Sequence, residues 1–187
     1  MDGQQAARHR NSAICCLHPP DHSRLRDPEV PPNIMSICQI KIPVSELQRS
    51  VDWYCALLGV RLHREFVEED ELAGAVLLHP AGFVISVRLR SRVPGNPYFP
   101  GFDLFSLGVE SIADLEELRA RATSLGSPRS DIVDRGTDGY HLDIFDPDGT
   151  AIRFITPGDA QGPAFAGVVF DGHGAPTFYE KPRLRPS

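Results

Sequence analysis

ICQIKIPVSELQRSVDWYCALLGVRL occupies residues 37–62, and FDLFSLGVESIADLEELRARATSLGS, residues 102–127, follows it at an offset of 65. The two stretches share an order of pattern more than identities: Val44 falls on Val109 and Leu47 on Ile112. Further on, His79-Pro80-Ala81-Gly82 matches Asp146-Pro147-Asp148-Gly149 at an offset of 67, so the second copy carries a short insertion before its last strands. A repeat of this period means one supersecondary unit built twice. In the first copy Cys38, Ile40 and Ile42 alternate with Gln39 and Lys41, the period of a half-buried strand. Ser45 and Gln48 have the spacing of a capping box that opens a helix. Leu47, Val51, Tyr54 and Leu58 then fall on one helical face, and Gly59 closes it. In the second copy Leu115, Leu118, Ala122 and Leu125 form the stripe before Gly126.

Working outward, each copy continues into three strands, expected near 61–67, 74–78 and 83–89, then near 131–135, 140–145 and 150–156. Asp146-Pro147-Asp148-Gly149 sets the last hairpin: a left-handed Gly149 pairs Asp146 with Thr150, and so places Asp143 opposite Arg153 and His141 opposite Ile155. Leu142, Ile144, Ile152 and Phe154 then share an apolar face directed at the helices. His141, Asp143, Phe145, Ala151 and Arg153 share the other. The first copy behaves alike, with Ile85, Val87 and Leu89 inward and Ser86, Arg88 and Arg90 outward. The expected class is α+β: two tandem βαβββ modules, residues 35–90 and 101–157, within one domain spanning 35–157. If the modules close on each other, their polar faces line one cleft carrying Gln39, Lys41, Ser86, Arg88, His141, Asp143 and Arg153. Segment 90–101, with Pro94, Gly95, Pro97, Pro100 and Gly101, reads as an ordered linker whose Tyr98 and Phe99 reach the cleft mouth.

Composition narrows the classes. The chain has 187 residues, 41% hydrophobic and 24% charged, which is globular and excludes a disordered chain, collagen or coiled coil. Its net charge of −6 argues against nucleic-acid binding driven by overall charge, and its short apolar runs cannot span a bilayer. The four cysteines make no disulfide framework, and a cytoplasmic setting fits them. Cys38 reads as a core residue, and Cys55, on the first helix, as buried and inert. Residues 1–34 hold five of the 17 prolines and no periodicity, and are expected to be a disordered tail. Patterned sequence begins at Met35, so the expectation is that Met35 is the natural start; a peptide from residues 2–10 in mass spectra of the native protein counts against it. Cys15, Cys16, His18 and His22 have no second paired cluster to make a zinc site. Residues 158–187 form an extension in which Val168–Phe170 and Phe178–Tyr179 flank the turn Asp171-Gly172-His173-Gly174, a short hairpin that also suits contact with a second copy.

The run Gln39 to Tyr54 with Leu57-Leu58-Gly59, and Asp146 to Phe154, resemble the opening βα unit and closing hairpin of the vicinal oxygen chelate superfamily. That superfamily includes glyoxalase I, bleomycin- and fosfomycin-resistance proteins and extradiol dioxygenases. The resemblance spans Met35 to Pro157 and implies an incompletely closed eight-stranded barrel with helices outside. The tail from Phe165 to Tyr179 is similar to that of uncharacterised bacterial members. Metal-dependent members carry a His on the first strand and a Glu on the last strand of a module. Those positions fall on Gln39, Leu104, Ser86 and Arg153 here. An amide, an alkyl group, a hydroxyl and a guanidinium are poor first-shell donors for a divalent cation. The resemblance therefore implies no metal and no cofactor, with a displaced site on His141 and Asp143 as the alternative.

Three readings follow. In the first, Gln39, Lys41, Ser86, Arg88 and Arg153 bind a small organic molecule, with surplus positive charge favouring an anionic one. The partners are then a small-molecule ligand and a second copy in a homodimer, with no nucleic acid and no membrane. In the second, the protein is a lyase, isomerase or dioxygenase using an unorthodox metal site, with His141 as a general base oriented by Asp143. The third is a structural or regulatory module whose cleft is filled by its own side chains. His63 and His79 read as surface groups.

Overall fold

The computed structural model describes residues 36–158, 166–172 and 176–184. The expectations for residues 1–35, including the Cys15, Cys16, His18, His22 grouping, and for His173 lie outside these. The first module runs β1 (Ile40–Val44), α1 (Leu47–Leu58), β2 (Arg61–Glu68), β3 (Glu71–Leu78) and β4 (Val84–Leu89). The second runs β5 (Asp103–Gly108), α2 (Ile112–Ser124), β6 (Val133–Asp134), β7 (Tyr140–Phe145) and β8 (Ala151–Ile155). A hairpin of β9 (Gly167–Phe170) and β10 (Pro176–Tyr179) follows. Each module folds into a four-stranded mixed sheet, in the orders β1-β4-β3-β2 and β5-β8-β7-β6. The first strand of each lies parallel to the last. The two sheets are not joined by hydrogen bonds, so the eight strands do not close into a full barrel.

The last hairpin has the register that its turn demands. Gly149 is left-handed at φ 82°, Asp146 N donates to Thr150 O at 2.9 Å, and Asp143 faces Arg153. Leu142, Ile144, Ile152 and Phe154 are buried on the helix side, as are Ile85 and Val87 in the first sheet. They join Tyr54, Leu57, Leu115 and Ala122 in one core that runs through both modules where α1 meets α2. Gly59 ends α1 at φ 70°.

Four local expectations need correction. The cap of α1 is Glu46, not Ser45: its carboxylate accepts from Gln48 N at 2.9 Å and Arg49 N at 2.7 Å. A carboxylate there makes charge-assisted bonds to orphan N–H groups and suits the positive helix end. Ser45 is occupied instead by the other module, its N–H donating to Asp148 Oδ2 at 2.9 Å. β3 begins at Glu71, because Glu69 and Asp70 close the β2–β3 hairpin with φ of 51° and 63°. Such a two-residue turn usually advertises itself with glycine or asparagine. β6 is only two residues long, since Asp134 Oδ1 accepts from Gly136 N and turns the chain away. Finally, Cys38 is exposed, because it precedes the first paired residue of β1, and Cys55 is only half-buried.

Candidate functional site

The residues singled out on the polar faces form two groups, one on each sheet. On the first, Lys41 lies beside Ser86 across the β1–β4 pair. The Ser86 hydroxyl donates to Gln39 Oε1 at 2.9 Å, which commits both groups to each other. Arg88 donates to Glu68 Oε1 at 2.6 Å, and its guanidinium lies over the Phe66 ring, 5.5 Å from the centroid. Phe66 can cover the sheet because its cross-strand neighbour is Gly74: a Cβ there would stand 2.1 Å from Phe66 Cζ and 2.6 Å from Val87 O. Pairing through Val76 also puts Arg64 on this face. The hairpin tip is tied down by Arg92, which bonds Glu69 and Glu71.

On the second sheet Arg153 sits between two carboxylates. Its Nε and Nη2 donate to Asp143 Oδ1 and Oδ2 at 2.8 and 2.9 Å, and its Nη1 reaches Asp103 Oδ2 at 2.7 Å. The hydrogen bonds from Arg153 hold the Asp143 carboxyl below the usual carboxylate range against the pull of burial. The same bonds raise the Arg153 pKa. Burial first, and the Arg153 charge second, hold His141 below the ordinary imidazole range. Asp143 is therefore spent on Arg153 and does not orient His141, whose buried Nδ1 has no hydrogen-bond partner among the described residues. His79, read as a surface group, is half-buried: its Nδ1 accepts from Ala81 N at 3.0 Å, and its ring stacks on Phe83.

Within one chain the two groups are not brought together. Among the described residues no hydrogen bond or ion pair links Gln39, Lys41, Ser86 or Arg88 to His141, Asp143 or Arg153. Both polar faces lie on the sides of their sheets away from the shared core. What joins the modules is a separate polar seam. The buried Tyr54 hydroxyl donates to Asp146 Oδ2 at 2.9 Å, while Asp146 Oδ1 accepts from Asp148 N and Thr150 N. Trp53 Nε1 donates to Ser127 Oγ at 2.6 Å. Burial, then the Asp146 charge, pushes the Tyr54 hydroxyl well above its ordinary pKa. Beside this seam lies a groove of about 810 Å³ lined by Trp53, Pro128, Phe145 and Pro147 among others.

The sequence pattern did not single out Asp103, Phe66, Glu68 or Gly74. A lone glycine inside a strand does mark a close approach, and Gly74 carried that signal. Asp103 carried none, because a register shift between Asp103 and Phe105 breaks the alternation that would have placed it. The four positions where metal-dependent members hold ligands do not fit a divalent cation. Gln39 and Ser86 bond each other, Leu104 has no donor, and Arg153 brings a guanidinium. Among the described residues no group of three or more His, Cys, Asp or Glu is placed to hold a metal ion.

Comparison with solved structures finds the same fold at low identity. A glyoxylase/bleomycin resistance protein/dioxygenase domain from Frankia sp. EAN1pec has a TM-score of 0.58 at 21% identity, covering 68% of this chain and 96% of that one. The fosfomycin resistance protein FosX from Listeria monocytogenes gives 0.53 at 13% identity, over 66% of this chain and 93% of its own. The antibiotic binding protein TnmS3 from Streptomyces sp. CB03234 gives 0.52 at 19%, over 67% and 98%. Comparison with curated protein sequences finds no match. A family model matches residues 36–154, most of the chain, and with the paired βαβββ modules it shows that the chain belongs to the Glyoxalase/Bleomycin resistance protein/Dioxygenase superfamily.

Proposed function

We propose that this protein binds a small organic molecule on the polar faces of its sheets without a resident metal. The observation that carries this is the substitution of the family's ligand positions by groups already engaged elsewhere: Ser86 with Gln39, and Arg153 with Asp143 and Asp103. One structural neighbour, TnmS3, is an antibiotic binding protein, which supports sequestration as a use of the fold.

The cleft is completed by a second copy. β1 and β5 are each an edge strand of their sheet, and among the described residues neither has a strand partner on its outer side. The faces beside them differ in charge. Lys41, Arg64 and Arg88 outweigh Glu68 on the first, whereas Asp103 and Asp143 outweigh Arg153 on the second. The first module of one chain is thus complementary to the second module of another.

Native mass spectrometry tests both parts. The expected result is a dimer that retains one small molecule per cleft and binds no stoichiometric metal. Stoichiometric zinc, iron, nickel or manganese in purified protein overturns the metal-free reading, and a monomer at all concentrations overturns the shared cleft.

A further inference from the structure

The charge of the β7–β8 face, taken with the binding role proposed above, narrows the class of ligand. A lone arginine at position 153 would present a fork for a carboxylate. Here that fork is closed. Asp143 takes Nε and Nη2 in a two-pronged pair, and Asp103 takes Nη1. One guanidinium against two carboxylates leaves the Asp103–Arg153–Asp143 group with one negative charge. Burial and the Arg153 charge both favour the neutral form of His141. Ser106, beside Arg153 on β5, adds a hydroxyl.

We infer that this end of the site takes a cationic or hydrogen-bond-donating group, an amine or amidinium carried on a small organic body, and that Asp103 is one of its binding residues. The alternative of an anionic ligand held by Arg153 requires the arginine to leave one of its carboxylates, and the site gains nothing to offset that exchange. An acidic group on the same ligand would be drawn instead to the Lys41 and Arg64 face.

The experiment uses three probes of one shape and different charge: benzamidine, benzamide and benzoate. Each is titrated into the full chain while the Arg153 Nε–H and His141 ring signals are followed by NMR. Benzamidine is expected to move both signals, and benzoate to leave them unmoved. Asp103→Asn should weaken benzamidine about fivefold, the size of one partly exposed charge pair, and Asp103→Glu should restore it. Asp103 is partly exposed and Arg153 keeps Asp143, so both variants are expected to fold. Benzoate moving the Arg153 signal, or benzamidine indifferent to Asp103→Asn, overturns the charge assignment while the binding role stands. If none of the probes moves a signal on either sheet, the binding role fails and the charge assignment fails with it.

Discussion

Ile152 and Arg153 are neighbours in the chain and opposites in environment. Ile152 is fully buried in the core that both modules share, and Ile152→Ala should cost roughly 2–5 kcal/mol by chemical denaturation. Asp143 gives a pH signature. Its carboxyl lies below the ordinary value of 3.8 in the folded protein, so the unfolded chain takes up its proton first. The stability it contributes is complete above that value and is lost as the pH falls through the lower folded one. Denaturation midpoints from neutral pH to about pH 3 should therefore fall less steeply in Asp143→Asn than in the parent. Asp146 works in the other direction. Burial raises its pKa, so its contribution is present below 3.8 and lost as the pH rises through the folded value. Strand alternation revealed the division between Ile152 and Arg153. It could not reveal that Arg153 is shared, because Asp103 comes from a different strand across a break in register.

At the scale of the element, the β2–β3 hairpin shows where pattern stops informing. Its strands were expected near 61–67 and 74–78, but its turn is Glu69-Asp70, two acidic residues held in the left-handed region. What makes that turn tolerable lies outside the hairpin: Arg92 binds Glu69 and Glu71 from the linker. Gly74 is the hairpin's other dependence. Gly74→Ala should displace Phe66, since the new methyl would also press on the Val87 carbonyl, at a cost of about 1–3 kcal/mol. The loss of Phe66 from its place over Gly74 is measurable as loss of the ring-current shift on neighbouring protons. The start of α1 was misplaced by one residue for a related reason. Ser45 has the right chemistry for a cap, but its N–H is claimed by Asp148, over a hundred positions away, which no local motif can report.

At the scale of the whole molecule, the repeat was legible and the relation between its copies was not. Periodicity fixes which face of each sheet is apolar. It does not say whether two polar faces meet within one chain or across two, because that is decided by which helices touch. Here α1 meets α2, and the polar faces remain apart. Sedimentation should accordingly show a concentration-dependent dimer, and Lys41→Glu, which reverses one charge on the face opposed to Asp103, should shift it toward monomer. A dilution series that leaves the sedimentation coefficient of the parent at the monomer value contradicts this.

The Tyr54–Asp146 hydrogen bond, formed across 92 positions, has a consequence for dissection of the chain. A single proteolytic nick between Val93 and Asn96 should go unnoticed by gel filtration, since the fragments would remain clasped through Tyr54, Trp53 and Ser45. Either half produced alone would bare a phenol or a carboxylate in an apolar wound and should precipitate, whereas co-expression of the two should recover a soluble pair. A chain built from a repeat would then consist of halves that need each other to stay folded.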